Sequence, residues 1–212
     1  MTPQLTIRST PARVVAWAWL AFAVLTLLDL AIGITGTAVH DRTSGVIALA
    51  VLFGCGLAYA IGLRPAILAG DEGVTVRNPL RTTHVPWRAV REIKGGAAVT
   101  VRFAAAEGER LTRAWVHQTS PRAQARAERR AAHDPSRAAV HAKGRTPAGY
   151  AAERLNEIGE RHRPRTRSGA PDRAAEAARD AAVPVAGTVT WSWPTLIALI
   201  VPPVLILVLA LA

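Results

Sequence analysis

The chain has a single cysteine among its 212 residues, Cys55, and it sits inside an apolar run. One cysteine excludes an intrachain disulfide and any cluster of thiolates around a metal. The six histidines (His40, His84, His117, His133, His141, His162) are scattered, and no two share the i, i+4 spacing of a helical metal site. Lysine is nearly missing too: among 26 basic residues only Lys94 and Lys143 are not arginine. With Ala, Gly, Pro and Val so abundant, that bias reads as the mark of a GC-rich genome rather than of phosphate recognition. Also missing are a nucleophile elbow, a phosphate-cradling loop and a paired-carboxylate pattern. The chain is therefore expected to be no enzyme, with no catalytic residue, no cofactor and no metal. A pI near 11.4 invites nucleic acid as a partner. No helix-turn-helix or aromatic RNA-binding signature accompanies it, so none is expected.

Charge is scarce over three stretches, at about residues 14–34, 46–63 and 193–212. The last of these, Trp193 to Ala212, has no charged side chain. Twenty helical residues at about 1.5 Å each span about 30 Å, the thickness of a bilayer's hydrocarbon. The first run is too long for a signal-peptide core and reads as a retained transmembrane helix. The expected class is a membrane protein with three transmembrane helices. The basic residues concentrate between them: 23 of 26 fall within Arg64–Thr190, against 13 acids, giving ten of the eleven net positive charges. Arg8 and Arg13 precede the first helix, Arg42 alone lies in the hairpin loop, and Arg64 opens the basic block. The positive-inside rule then puts the N-terminus and residues 64–190 in the cytoplasm of a multi-pass cell-membrane protein, with Ala212 outside. Trp17, Trp19, Trp191 and Trp193 flank the cytoplasmic helix ends, where indoles prefer to lie.

Two intramembrane features have alternative readings. Gly54, Ala58 and Gly62 recur every four residues on the second helix. They are either a close helix–helix or oligomer contact, or small residues tolerated in an Ala-rich chain. Asp29 is the only acid inside a span. Lying near the outer end, it reads as reaching headgroup water rather than as a functional site.

From Arg64 the pattern turns to short alternating runs. Ala66–Ala69, Val74–Arg77, Arg81–Val85, a stretch through Val90 and Ile93, Ala97–Phe103 and Arg110–Val116 read as strands. Asp71-Glu72-Gly73, Asn78-Pro79, Gly95-Gly96 and Glu107-Gly108-Glu109 supply the turns. Pro86-Trp87 interrupts a strand, and Leu111 and Trp115 are expected to join the core. Residues 117–145 are an Ala- and Arg-rich insert without large apolar residues, expected to be solvated or unfolded. Thr146-Pro147 is a good helix start. Ala151, Leu155 and Ile158 follow on one face, and Glu157 and Arg161 are spaced to pair on another. The expected layout is an N-terminal tail over 1–13, a hairpin over 14–63, a sheet-and-helix domain over 64–162, a linker over 163–190 and the last helix over 193–212.

The run Asp71-Glu72-Gly73-Val74-Thr75-Val76-Arg77-Asn78-Pro79, followed by Val85-Pro86-Trp87, resembles the bacterial PH domain of the low-molecular-weight protein antigen 6 type. Those are small actinobacterial membrane proteins with two transmembrane helices ahead of the domain. The resemblance spans about residues 64–162. It implies a PH-like antiparallel barrel or sandwich of six to seven strands, closed by a C-terminal helix. The insert at 117–145 and the third membrane helix depart from it. PH-like folds carry lipid-binding and protein-binding roles alike. In phosphoinositide readers the first strand–loop–strand is basic, whereas here it reads Ala69-Gly70-Asp71-Glu72-Gly73, so that role is not carried over.

The expectation is a non-catalytic interaction module at the inner membrane surface, meeting a protein partner or the bilayer through an edge of Trp87, Arg88 and Arg91. Trp87 has a core reading as well. The alternative is electrostatic binding of anionic lipid by the insert, through Arg122, Arg126, Arg129 and Arg130. The competing reading is that those charges only keep a flexible loop soluble and satisfy the positive-inside rule. Oligomerisation, if present, is expected through the small-residue stripe.

Overall fold

The structure is a computed structural model and describes residues 4–33, 41–116, 147–162 and 185–211. In chain order its elements are β1 (Leu5–Ile7), α1 (Thr10–Ile32), α2 (Arg42–Leu57), β2 (Ala66–Ala69), β3 (Gly73–Arg77), β4 (Arg81–Pro86), β5 (Val90–Gly95), β6 (Val99–Ala105), β7 (Gly108–Arg113), α3 (Pro147–Arg161), β8 (Thr188–Trp191) and α4 (Trp193–Leu211). A π-helical turn, Ala58–Leu63, extends α2, and a 3-10 turn, Trp87–Ala89, separates β4 from β5. The chain divides into two compact units. One comprises Met1–Arg8 and Ala66–Thr190, the other Ser9–Pro65 and Trp191–Ala212.

The first unit is a sheet-and-helix domain. One sheet has the strand order β1-β2-β3-β4-β8 and the other β5-β6-β7. Consecutive pairs from β1 to β4 and from β5 to β7 are antiparallel. The alternation seen in the sequence sets which face is buried. Val74 and Val76 on β3 and Val99, Val101 and Phe103 on β6 are fully buried, while Arg102 between them is exposed. Helix α3 lays Ala148, Ala151, Ala152, Leu155 and Ile158 onto β5 and β6. Asn78, in the turn after β3, ties the two sheets together. Its amide donates to the Arg113 carbonyl at 2.9 Å and its side-chain oxygen accepts the Trp115 N–H at 2.8 Å. Between the two sheets the hydroxyls of Thr83 and Thr112 meet, part-buried, at 3.3 Å.

Three details depart from the sequence reading. Leu111 and Trp115 are 64% and 48% exposed, while Ala114 and Val116 are buried. The strand is in the opposite phase to the one expected, and a one-residue slip exchanges its faces. Thr112, partly buried, faces Thr83. Glu157 pairs with Arg154 at 2.6 Å, one turn before it. The sheet also takes in Leu5–Ile7 and Thr188–Trp191, which the sequence reading left in the tail and the linker. The insert at 117–145, with Arg122, Arg126, Arg129 and Arg130, lies outside the described residues, as does most of the linker.

Among the described residues, the second unit holds three helices long and apolar enough to cross a membrane: Thr10–Ile32, Arg42–Leu63 and Trp193–Leu211, of 23, 22 and 19 residues. Helices α1 and α2 begin about one turn before their apolar runs, where the caps are. Pro11 occupies the first turn of α1, where no N–H is needed. Asp41 accepts the Ser44 N–H at 2.8 Å at the start of α2. Gly33 ends α1 with φ 72°. Helix α2 is the shared partner. A Cβ on Gly62 would lie 2.5 Å from the Ala16 Cβ and 2.7 Å from the Ala12 carbonyl, and one on Gly54 would overlap the Trp19 ring. Gly56 faces α4, where a Cβ would lie 2.7 Å from the Ala198 oxygen. That carbonyl has lost its helical donor to Pro202 four residues on. A glycine opposite allows backbone to approach backbone there.

Candidate functional site

The sequence nominates Trp87, Arg88 and Arg91, and the local fold explains their placement. Pro86 ends β4, and the chain tightens into the 3-10 turn before β5 restarts at Val90. The Trp87 backbone N–H reaches the Glu72 carbonyl at 3.3 Å, and its indole N–H donates to the Gly70 carbonyl at 2.9 Å. One residue thus fastens the β2–β3 turn from two directions. The ring is half-buried and packs on the domain core. Gly159 of α3 lies against it, so that a Cβ there would come within 3.2 Å of the ring. Arg88 and Arg91 are exposed on either side of buried Ala89.

Residues far apart in sequence gather around this tryptophan. The His162 ring lies 5.8 Å from it, centroid to centroid, inclined by 31°. His162 Nδ1 is 3.2 Å from the Ile158 carbonyl, which can only accept, so that nitrogen carries a proton. Its Nε2 is 3.9 Å from the Asp71 carboxylate, which accepts a hydrogen bond from the Gln4 side-chain amide. The N-terminal segment, the β2–β3 turn, the 3-10 turn and the end of α3 therefore converge. Gln4, Asp71 and His162 escaped sequence reasoning because no local spacing links them. Four segments of the fold had to come together first.

Farther along β5, Glu92 sits between Lys94 at 2.8 Å and Arg102 at 3.9 Å. The Lys94 hydrogen bond holds its carboxyl below the ordinary range, against a smaller opposing effect of burial, and the charges of Lys94 and Arg102 add to the lowering. At the start of α2, outside the apolar span, the Ser44 N–H lowers the Asp41 carboxyl in the same way. Among the described residues no three His, Cys, Asp or Glu side chains come together as a metal site would need. The Trp87 cluster brings a half-buried indole, an imidazole and a carboxylate together next to the exposed Arg88 in sequence. Such a surface suits recognition.

Gly54, Ala58 and Gly62 lie in the other unit. Gly54 and Gly62 meet α1 of the same chain, and Ala58 lies with them along the α1–α2 seam.

Residues 64–149 match the family described as Bacterial PH domain. The match runs from just before β2 through β7 to the first turn of α3, and leaves β1, β8 and all three apolar helices outside it. No curated protein and no solved structure matches the chain. The chain thus carries a PH-like domain, of a class whose members are generally non-catalytic interaction modules.

Proposed function

We propose that the protein is a three-span membrane protein, close to the antigen 6 type, that displays its PH-like domain at the cytoplasmic face as a docking module for another protein. The observation that carries this reading is how the domain joins the helices. Strand β1 runs into α1 through Arg8-Ser9, the end of α2 runs into β2 through Arg64-Pro65, and β8 runs into α4 through Ser192 alone. Connectors of one or two residues reach at most about 7 Å. A hydrocarbon layer is about 30 Å thick. These short connectors, with Arg8, Arg13 and Arg64 close to the helix ends, support a cytoplasmic domain.

A protein ligand is favoured over a phosphorylated headgroup because the β2–β3 turn beside Trp87 presents Asp71 and Glu72. Two carboxylates repel phosphate. Arg88 and Arg91 with the Trp87 edge supply the anchor types that dominate protein interfaces. A photocrosslinking residue at position 88 of the full chain, activated in native membranes, tests this. The expected result is a discrete protein adduct that disappears when Arg91 is also replaced by alanine. Crosslinks to lipid alone would contradict the docking role.

A further inference from the structure

We infer that the seam between α1 and α2 is a binding site for one acyl chain of an anionic phospholipid, whose headgroup sits at the end of the seam that carries Arg13 and Arg64. This rests on the membrane reading above. One face of α1 from Pro11 to Trp19 and one face of α2 from Gly54 to Gly62 enclose an apolar groove of about 490 Å³. Ala12, Ala16, Gly54, Ala58 and Gly62 make it deep, and Trp19 closes it opposite Gly54. The two helices touch at both ends, at Gly62 on Ala12 and Ala16 and at Gly54 on Trp19. Between those contacts the small side chains leave the groove unfilled, with Val15 and Ile61 still 69% and 46% exposed along it.

In a bilayer such a groove opens to hydrocarbon, and only an apolar chain can fill it without stranding polar groups. A single file of methylenes suits a groove bounded by close helix contacts at both ends. A helix, about 10 Å across, would rest on the rim. Charge then selects the headgroup. The end of the seam at Pro11 and Gly62 has Arg13 in the first turn of α1 and Arg64 just after the π-helical turn. Arg13 has no acidic partner among the described residues. Ser9 makes no side-chain cap, and no acid lies in the first turn of α1, so its free N–H groups add positive potential. The acids of this unit, Asp29 and Asp41, belong to the far ends of their helices.

The test uses the full chain in phosphatidylcholine vesicles that contain, at equal mole fraction, either brominated phosphatidylglycerol or brominated phosphatidylcholine. Quenching at Trp19 is read as the difference between wild type and Trp19→Phe. The expected result is that the anionic lipid associates about fivefold more strongly at Trp19, the attraction of about one arginine for an anionic surface. Arg13→Gln should shrink the excess toward parity, with Arg64 still in place, and Ala58→Leu should remove it by filling the groove. Equal quenching in the wild type would overturn the inference, as would an excess that survives both substitutions. Absence of quenching by either lipid would overturn it as well, and would mean that a second copy or another protein covers the seam. A chain that fails to float with the vesicles would instead overturn the membrane reading itself.

Discussion

Trp87 shows how one side chain can both pack on a core and fasten a turn. Its ring packs on the core and on Gly159, while its N–H groups hold the β2–β3 turn. Trp87→Phe keeps the packing and removes the bond to Gly70. That bond is part-buried, so the expected cost is about 1 kcal/mol, read as a lower urea midpoint of the detergent-solubilised chain. The burial assignments make a sharper pair. Leu155→Ala empties a fully buried site and should cost about 2–5 kcal/mol, whereas Leu111→Ala, on the outer face, should stay within about 0.5 kcal/mol. Equal costs would contradict the phase of β7. That phase was hard to read because Thr112, Ala114 and Val116 carry a weaker hydrophobic signal than Leu111 and Trp115. The larger residues suggested the wrong face. Glu92 gives a pH dependence. Its carboxyl is held below the ordinary value of 4.5 in the folded chain. Its contribution is therefore present above the unfolded-state value and fades as pH falls through the lowered one. The urea midpoints of wild type and Glu92→Gln should differ near neutrality and converge in acid. A gap that widens in acid would reverse the sign.

At the scale of elements, the strands from β2 to β6 and helix α3 were legible because each repeats a clear period between clear turns. Strands β1 and β8 were not. They have three and four residues and sit beside long apolar helices, whose signal dominates any sequence window. Only pairing reveals them: Leu5, Thr6 and Ile7 lie opposite Ala69, Leu68 and Ile67. Strand β1 covers an edge of β2 that would otherwise expose unpaired backbone. Leu5 and Ile7 also pack on the core. Replacing both by alanine should lower the domain's stability by about 2 kcal/mol, seen as faster protease cleavage within residues 66–113. Unchanged cleavage would make β1 dispensable. In the helical unit Gly56→Leu should separate α4 from α2, because the Ala198 carbonyl leaves no room for a side chain. A loss of crosslinking between cysteines at Gly45 and Leu209, which lie within reach across the two helices, would report it, with Cys55 first changed to serine. Retained crosslinking would mean that the two helices tolerate the added bulk. The gathering of Gln4, Asp71 and His162 around Trp87 was beyond sequence reasoning for a related reason: it depends on β1 being part of the sheet.

On the scale of the whole molecule, the PH-like domain is assembled from three separate stretches of chain. Residues 5–7 come before the first two apolar helices, residues 66–162 follow them, and residues 188–191 lead into the last. Under the proposed membrane reading, the sheet needs all three stretches on one side of the bilayer. The domain cut out at residue 64 would lack β1 and β8, and binding measurements belong on the full chain. The most direct test of this account is the accessibility of single cysteines in intact cells, introduced into a Cys55→Ser background. Glu107→Cys at the β6–β7 turn and Gln4→Cys should react with an impermeant maleimide only after the membrane is opened, whereas Thr43→Cys and Leu211→Cys should react without opening it. Labelling of Glu107→Cys and Gln4→Cys on opposite sides, or of Glu107→Cys from outside the intact cell, would contradict it.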